Sequence, residues 1–460
     1  MGEFTKPPVY KQSPPRRPRV VIVGGGFAGL NAATGLAHLP VDVTVVDRRN
    51  HYLFQPLLYQ VALAVLSPAD IAQPIRSILR RQKNTEVLMD EVVGIDVAAR
   101  QVTLASGARL DYDYLVLATG ATHSYFGHDE WEPLAPGLKT IEDATEIRRR
   151  VLLAFELAER QMLEQGSHPP LNFVVIGAGP TGVELAGAIS DIAQLYMRHD
   201  FRHIDPTKSR VMLLDGGKRV LAAYPEDLSA KAETELKRLG VEVHLQAQVT
   251  SVGPGWVEAQ GPHGNFQTEA VVTLWAAGVE ASPLGKLLGA PLDKRGCVIV
   301  DDRLNPPALP EVFVLGDLAH FEQDGRQIPG VAQPAMQMGD HVGKIIAADL
   351  AAKPRPAFRY WDKGDMATIG RMAAVADVKW PFKAHMSGFP AWFTWVTVHI
   401  FFLIGFRNRL LVLINWAWTY FNFTRGARLI IGDPNLPGWK QQSQGGPAEV
   451  SAQPASKAVE

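Results

Sequence analysis

Glycines at positions 24, 26 and 29 are spaced G-x-G-x-x-G and follow directly on the run Val20, Val21, Ile22, Val23. An unbroken β-branched run of this kind marks a parallel strand buried on both faces. Glycine in the first place allows a tight turn, in the second lets backbone approach a pyrophosphate, and in the third lets the next helix pack close to the strand. Phosphates would then rest on the free N–H groups of that helix's first turn, favoured by its dipole. A second buried run, Val41 to Val46, ends in Asp47, whose carboxylate can accept hydrogen bonds from a ribose diol. A lone glycine triplet is often a plain strand-to-helix turn. Strand, glycines, helix, strand and acid in this order point instead to a ligand with an ADP half.

The same unit returns further along. Phe173 to Ile176 leads into Gly177, Gly179 and Gly182, and the run Arg210 to Leu214 ends in Asp215. Here the acid comes later than the ~20 residues usual after the glycines, and the polar stretch Met197 to Ser209 is expected to absorb the surplus. Two such units on one chain imply two dinucleotide sites, and two sites facing each other imply electron transfer between two cofactors. Asp47 and Asp215 each favour a free 2′-hydroxyl over a 2′-phosphate, which points to FAD in one site and NADH in the other. Lys218 and Arg219 keep NADPH open as a donor.

Other residues are candidates for chemistry around those ligands. Tyr112 to Gly120 is expected to be a buried strand running into a Thr119–Gly120 turn, which brings backbone close to a ligand at the carboxyl end of a sheet. Asp317 ends the run Val312 to Leu315–Gly316 and is placed either to hold the ribityl hydroxyls of a flavin or to cap the following helix. Glu184 is expected in the first turn of the second unit's helix. There it either answers the helix dipole or bonds the nicotinamide and helps protons reach a reduced flavin. In Ala332-Gln333-Pro334-Ala335-Met336-Gln337, Pro334 suits the first position of a helix, and Gln333 and Gln337 would project on one side of it. Uncharged amides beside small alanines suit a flat, carbonyl-bearing ring, although two glutamines on an exposed helix face are also commonplace.

The elements that must position these residues follow from composition. With 460 residues the chain has room for two or three domains, and 46 Lys plus Arg against 47 Asp plus Glu exclude a polyanion-binding protein, so no nucleic acid is expected. One cysteine, Cys297, forbids an intrachain disulfide or a paired-cysteine redox centre, and no metal site is expected. The fold class is α/β. Two Rossmann-like dinucleotide-binding domains are expected, the NADH domain (141–290) inserted in the FAD domain (19–140 and 291–350). A strand at Val312 is expected to return to the first sheet. Residues 1–18, Pro-rich, polar and without a signal-peptide core, read as a disordered arm, and 433–460 as a disordered tail. The segment 351–432 differs from the rest. It carries eleven Lys/Arg against three Asp/Glu, six of the ten tryptophans, and the uncharged run Phe389 to Phe406, followed by Arg407–Asn408–Arg409 as a basic stop. A second run, Leu410 to Thr424, ends in Arg425 and Arg428. The pair suits helices lying in a bilayer interface, with tryptophan at headgroup depth and arginine on anionic lipid.

Taken together the motifs resemble those of the type II NADH:quinone oxidoreductases, single-chain flavoproteins of the membrane surface. The resemblance runs from about Pro18 to Gly432. It rests on G-G-G-F-A-G at Gly24, F-Q-P-L-L-Y-Q-V-A at Phe54, A-T-G at Ala118, G-A-G-P-T-G-V-E-L-A-G at Gly177, W-A-A-G-V at Trp275, G-D at Gly316, A-Q-x-A-x-Q at Ala332 and G-F-R-N-R at Gly405. The last two discriminate, since the glycine motifs belong to a large superfamily. The resemblance implies FAD at Gly24, Gly26, Gly29, Asp47, Thr119, Gly120 and Asp317. It implies NADH at Gly177, Gly179, Gly182 and Asp215, with Glu184 beside the nicotinamide and Gln333 and Gln337 facing a quinone. Asp215 stands where such enzymes commonly have Glu. The implied location is the cytoplasmic face of a bacterial inner membrane, peripheral or monotopic, with hydride passing from NADH to FAD and two electrons to quinone without proton pumping. A homodimer and the identity of the quinone are left open. The rivals are a soluble ferredoxin or rubredoxin reductase, which has no use for the aromatic run at Phe389, and a flavin-bound NADH sensor resembling apoptosis-inducing factor.

Overall fold

A computed structural model describes residues 16–422 and 427–431. Arg425 and most of the two expected disordered ends lie outside the described residues. The first unit opens with β1 (Arg19–Val23), α1 (Phe27–Gly35) and β2 (Asp42–Asp47). The apolar connection after Asp47 folds into a short helix, α2 (Leu58–Ala62), every residue of which is buried. Next come β3 (Thr85–Met89) and β4 (Tyr114–Leu117). The long helix α3 (Ile141–Gln165) starts from a capping box in which Thr140 and Asp143 bond each other's backbone N–H groups, satisfying donors that a helix start leaves free.

The second unit repeats the pattern with β5 (Asn172–Ile176), α4 (Pro180–Asp191), β6 (Arg210–Asp215), β7 (Val241–Leu245) and β8 (Val272–Trp275). The surplus between its glycines and its acid is part helix: α4 outlasts α1 and continues into a π-turn at Ile192–Tyr196. The chain then returns through β9 (Val312–Val314), which pairs in parallel with β4, and enters α5 (Ala332–Leu350). The first sheet therefore runs β9-β4-β1-β2-β3 and the second β7-β6-β5-β8, every pair parallel. β1 and β5 are buried along almost their whole length, as expected for strands covered by helices on both faces. The insertion of the second unit into the first is thus visible in the strand order.

The C-terminal region holds a three-stranded antiparallel sheet that the sequence reading missed: β10 (Gly364–Ile369), β11 (Ala373–Val378) and β12 (Ala384–Ser387). It packs against α4 and against α6 (Gly388–Phe402), which is followed by α7 (Phe406–Asn422). Arg407–Asn408–Arg409 does not act as a stop. It falls in the first turn of α7, where Arg409 Nε donates to the Leu403 carbonyl at 2.6 Å and so closes the end of α6. Among the described residues no helix is long and apolar enough to cross a membrane. The tryptophans do not all reach outward. Trp395 is buried and stacks on His399 with ring centroids 4.0 Å apart, while Phe389, Phe393, Phe401 and Phe406 are exposed.

One buried cation ties these parts together. Arg148, on α3, donates to the carbonyls of Val61 (2.8 Å) and Leu66 (3.1 Å) and to that of Ala427 (3.2 Å). It thereby pins the end of α2 and the chain beyond α7 to one point. Replacing Arg148 with Met should leave buried carbonyls without donors, each costing about 1–3 kcal/mol. Urea unfolding should show a loss of at least about 2 kcal/mol; an unchanged midpoint and slope would contradict this role.

Candidate active site

Both glycine turns are shaped by contact with backbone. Gly24 has φ +101°, and a Cβ there would lie 2.4 Å from the Ala118 carbonyl oxygen; Gly177 has φ +103° and would meet Ala276 at 2.6 Å. A Cβ on Gly29 would lie 1.8 Å from the carbonyl oxygen of Gly24, and one on Gly182 equally close to that of Gly177. The middle glycines differ, with nothing within 4 Å of a Cβ on Gly26 or Gly179. First and third positions thus close the strand–helix corner, while the second opens onto the space a pyrophosphate would need. Helices α1 and α4 begin there, and their first N–H groups face that space.

The two strand-end acids do the same thing in both units. Asp47 Oδ2 accepts from Gly25 N–H at 2.6 Å and Oδ1 from Arg49 N–H at 2.7 Å. Asp215 Oδ2 accepts from Ala178 N–H at 2.6 Å and Oδ1 from Gly217 N–H at 2.6 Å. Each carboxylate therefore holds its own glycine turn with charge-assisted bonds and keeps lone pairs for a ribose. Arg219 donates to the carbonyl of Ala222 at 2.8 Å.

Around the first unit, the Thr119–Gly120 turn, Asp317 and the start of α5 converge on the Gly24 turn. Gly120 has φ +67°, and a Cβ on Gly316 would touch Ala335 at 3.3 Å and Ala28 at 3.6 Å. Asp317 lies 3.9 Å from Lys139 Nζ. Thr119 Oγ1 and Gln333 Oε1 are buried there with no partner among the described residues. Buried polar atoms are normally satisfied, so these two orphans in a glycine-lined cradle fit a large polar cofactor, and FAD is consistent with every residue present.

A cavity of about 140 Å³ joins the two units. Thr181, Glu184 and Ala276 line it from the second unit, and Gln55, Leu58 and Tyr59 from α2 and the turn before it. His123 and Lys139 close one side. It lies at the carboxyl ends of the strands, where open α/β sheets place ligands. Of these only Glu184 was singled out from sequence. Tyr59, Gln55, His123 and Lys139 were missed as individuals, although the aromatic connection from Asn50 was expected to line something buried.

Three expectations need correction. Glu184 lies in the second turn of α4, not the first, and no acid occupies the first turn. The dipole acts mainly within the first turn, so burial governs Glu184: it pushes the carboxyl up to about 8, against bonds from Thr368 that pull down. Gln337 does not offer its amide to a ligand. Its Nε2 donates to the Trp361 carbonyl at 3.0 Å and its Oε1 accepts from Trp361 N–H at 2.9 Å. Gln333 is half committed, donating to the Gly364 carbonyl at 2.9 Å while its oxygen has no partner among the described residues. The helix also begins at Ala332, which puts Pro334 third rather than first.

Residues 18–339 match the family model "Pyridine nucleotide-disulphide oxidoreductase", and residues 362–425 match "NDH2 C-terminal domain". The type II NADH:quinone oxidoreductase Ndh of Mycobacterium tuberculosis is 44% identical over 90% of each chain. The structure of NDH2 from Plasmodium falciparum in complex with NADH superposes with a TM-score of 0.80 at 19% identity, covering 91% of this chain and 100% of that one. The sulfide:quinone oxidoreductase of Aquifex aeolicus shares the fold at a TM-score of 0.70 and 19% identity, covering 92% and 98%.

The paired acids can be separated by experiment. In Asp215→Asn one amide N–H must face a backbone N–H, with loss of a charge-assisted bond worth about 1.5–3 kcal/mol. KM for NADH should rise roughly ten- to a hundredfold with flavin content unchanged. Asp47→Asn should instead lower the flavin retained on purification. The same defect from both substitutions would contradict two separate nucleotide sites.

Proposed function

This chain belongs to the type II NADH:quinone oxidoreductase family, and from that premise we propose how its own residues divide the work. The protein is an FAD-dependent enzyme that takes electrons from NADH and delivers them to quinone. FAD, when bound, supplies the chemistry of accepting hydride and returning two electrons. The protein's part is binding, orientation and the handling of protons.

In this proposal Gly24, Gly26, Gly29, Asp47, Thr119, Gly120 and Asp317 hold FAD, in domain segments 19–140 and 291–350. Gly177, Gly179, Gly182 and Asp215 hold NADH within 141–290. The observation that carries the reading is a cavity lined from both units, with the Glu184 carboxyl in its wall. A carboxyl pushed up to about 8 is protonated at neutral pH and close to the optimum for exchanging a proton there. Glu184 accordingly holds the proton beside the nicotinamide.

Gln333 has a narrower role than an amide facing either way. Its N–H is fixed on Gly364, so the oxygen is the end left over, and an oxygen can only accept. The groups that suit it are the hydroxyl of a reduced quinone or a ring N–H of the flavin. Gln337 supports it indirectly by clamping the Trp361 backbone.

Quinone would arrive past 351–432, from a lipid surface covered by the exposed phenylalanines of α6 and α7, together with Leu413, Ile414 and Trp418. Aromatic and aliphatic side chains beside a strongly basic segment suit the anionic interface of a bilayer. The cytoplasmic face of an inner membrane is the proposed setting, with no charge carried across it.

Stopped-flow absorbance on the purified protein separates the halves. Gln333→Leu should leave flavin reduction by NADH within a few fold of wild type and slow reoxidation by a soluble quinone at least about tenfold, the cost of one buried hydrogen bond. Equal loss of both half-reactions would mean that Gln333 serves the flavin or the fold. Flavin reduction indifferent to added quinone in the wild type would favour a sensor.

A further inference from the structure

Glu184 is joined to the C-terminal helices by a line of four side chains. Its Oε1 lies 3.5 Å from the backbone nitrogen of Thr368, and the Thr368 hydroxyl also bonds the carboxyl. Thr368 Oγ1 is 2.8 Å from the Tyr59 hydroxyl. That hydroxyl accepts from Gln60 Nε2 at 3.0 Å, and Gln60 Oε1 accepts from Trp416 Nε1 at 2.7 Å. Thr368, Tyr59 and Gln60 are buried. The line therefore crosses from α4 through β10 and α2 to α7, elements far apart in sequence.

Its direction is set at both ends. An indole N–H can only donate, so the Gln60 oxygen must face Trp416 and the Gln60 NH₂ must face Tyr59. An ionised carboxylate can only accept, so the single proton of Thr368 goes to Glu184, and Tyr59 must donate to Thr368. Every bond then points toward Glu184, and bonds aligned head to tail polarise one another. In the opposite arrangement, with Glu184 protonated and Thr368 turned toward Tyr59, the Tyr59 oxygen would receive two donors at once. Gln60 offers Tyr59 another N–H, held that way round by Trp416.

We propose that Trp416, acting through Gln60, Tyr59 and Thr368, biases Glu184 toward its ionised form, so that the seating of α7 against α2 sets the pH at which the active site works. This rests on the reading of Glu184 as the proton-holding group. The four residues of the line are positioning residues. The other ionisable groups about Glu184 are His123 and Lys139 across the cavity, Tyr224, which responds to its charge, Asp365 and Asp377 on the adjoining sheet, and Asp191 further along α4. Burial alone would favour the neutral carboxyl, and the Thr368 bonds oppose it. The line extends that opposition out to a helix at the basic end of the chain.

The test uses the full-length, FAD-loaded protein with two readouts. One is the pH dependence of NADH:quinone turnover. The other is titration of the protonated-carboxyl C=O stretch by difference infrared spectroscopy, assigned with Glu184→Gln. Tyr59→Phe should move both midpoints to higher pH by about half a unit to one unit, the worth of one hydrogen bond, and Trp416→Phe in the same direction by a smaller amount, since each bond in a line strengthens the next by only about 10–30%. Thr368→Val should move them further. If Trp416→Phe disturbs folding, Gln60→Leu breaks the same line from α2 and should give the same shift. Midpoints unmoved in the Trp416, Gln60 and Tyr59 variants, while Glu184→Gln abolishes them, would overturn the proposal and leave the role of Glu184 standing. A step that persists in Glu184→Gln would remove the role of Glu184 itself, and the proposal with it.

Discussion

Each nucleotide unit depends on a carboxylate at the end of its second strand that accepts two backbone N–H groups, one from the glycine turn beside it. Without that bond the first glycine would still make its turn, but nothing would hold the next N–H in place above the sheet. Because Asp47 and Asp215 bond in the same way, at 2.6–2.7 Å, the two units present equivalent cradles. Strand burial and helix packing then decide where the cradles stand. β9 returns to the first sheet after the whole second unit has been laid down, which brings the start of α5 beside the first glycine turn. The cavity that joins the units follows from this arrangement.

Within that cavity the electrostatics depend on exclusion of water. Glu184 is held up to about 8 by burial alone, with Thr368 as the opposing influence. Cys297 shows the same effect with no chemistry attached: burial first, then the nearby Asp293, raise its thiol to about 11, so it is a packed residue and not a redox centre.

Much of the fold was legible in the sequence because its rules are local. A Cβ at Gly29 or Gly182 collides with the carbonyl of Gly24 or Gly177, a few residues back in the chain, so spacing alone revealed both turns. The late acid of the second unit looked like a departure and proved to be a longer helix, its π-turn and the connection from Met197 to Ser209. What could not be read depends on distant partners. Gln337 resembled a ligand-facing amide until Trp361, brought back by the C-terminal sheet, occupied both of its ends. Thr368 carries no motif, and its role exists only because β10 packs on α4. Arg407–Asn408–Arg409 read as a stop because charge ends an apolar run. Its actual work is to close the preceding helix, which depends on a chain reversal at Gly405 (φ +87°) that hydropathy does not register.

On the proposed reading, two equivalent carboxylate-braced cradles put a flavin and a nicotinamide on either side of one cavity. The most direct measurement is an experimental density map of the purified protein soaked with NADH under anaerobic conditions. The expected map has one pyrophosphate over Gly26 and a second over Gly179, with the nicotinamide ring between the flavin and Glu184. Density for a single dinucleotide, or a nicotinamide turned away from the cavity shared by Tyr59 and Glu184, would contradict it.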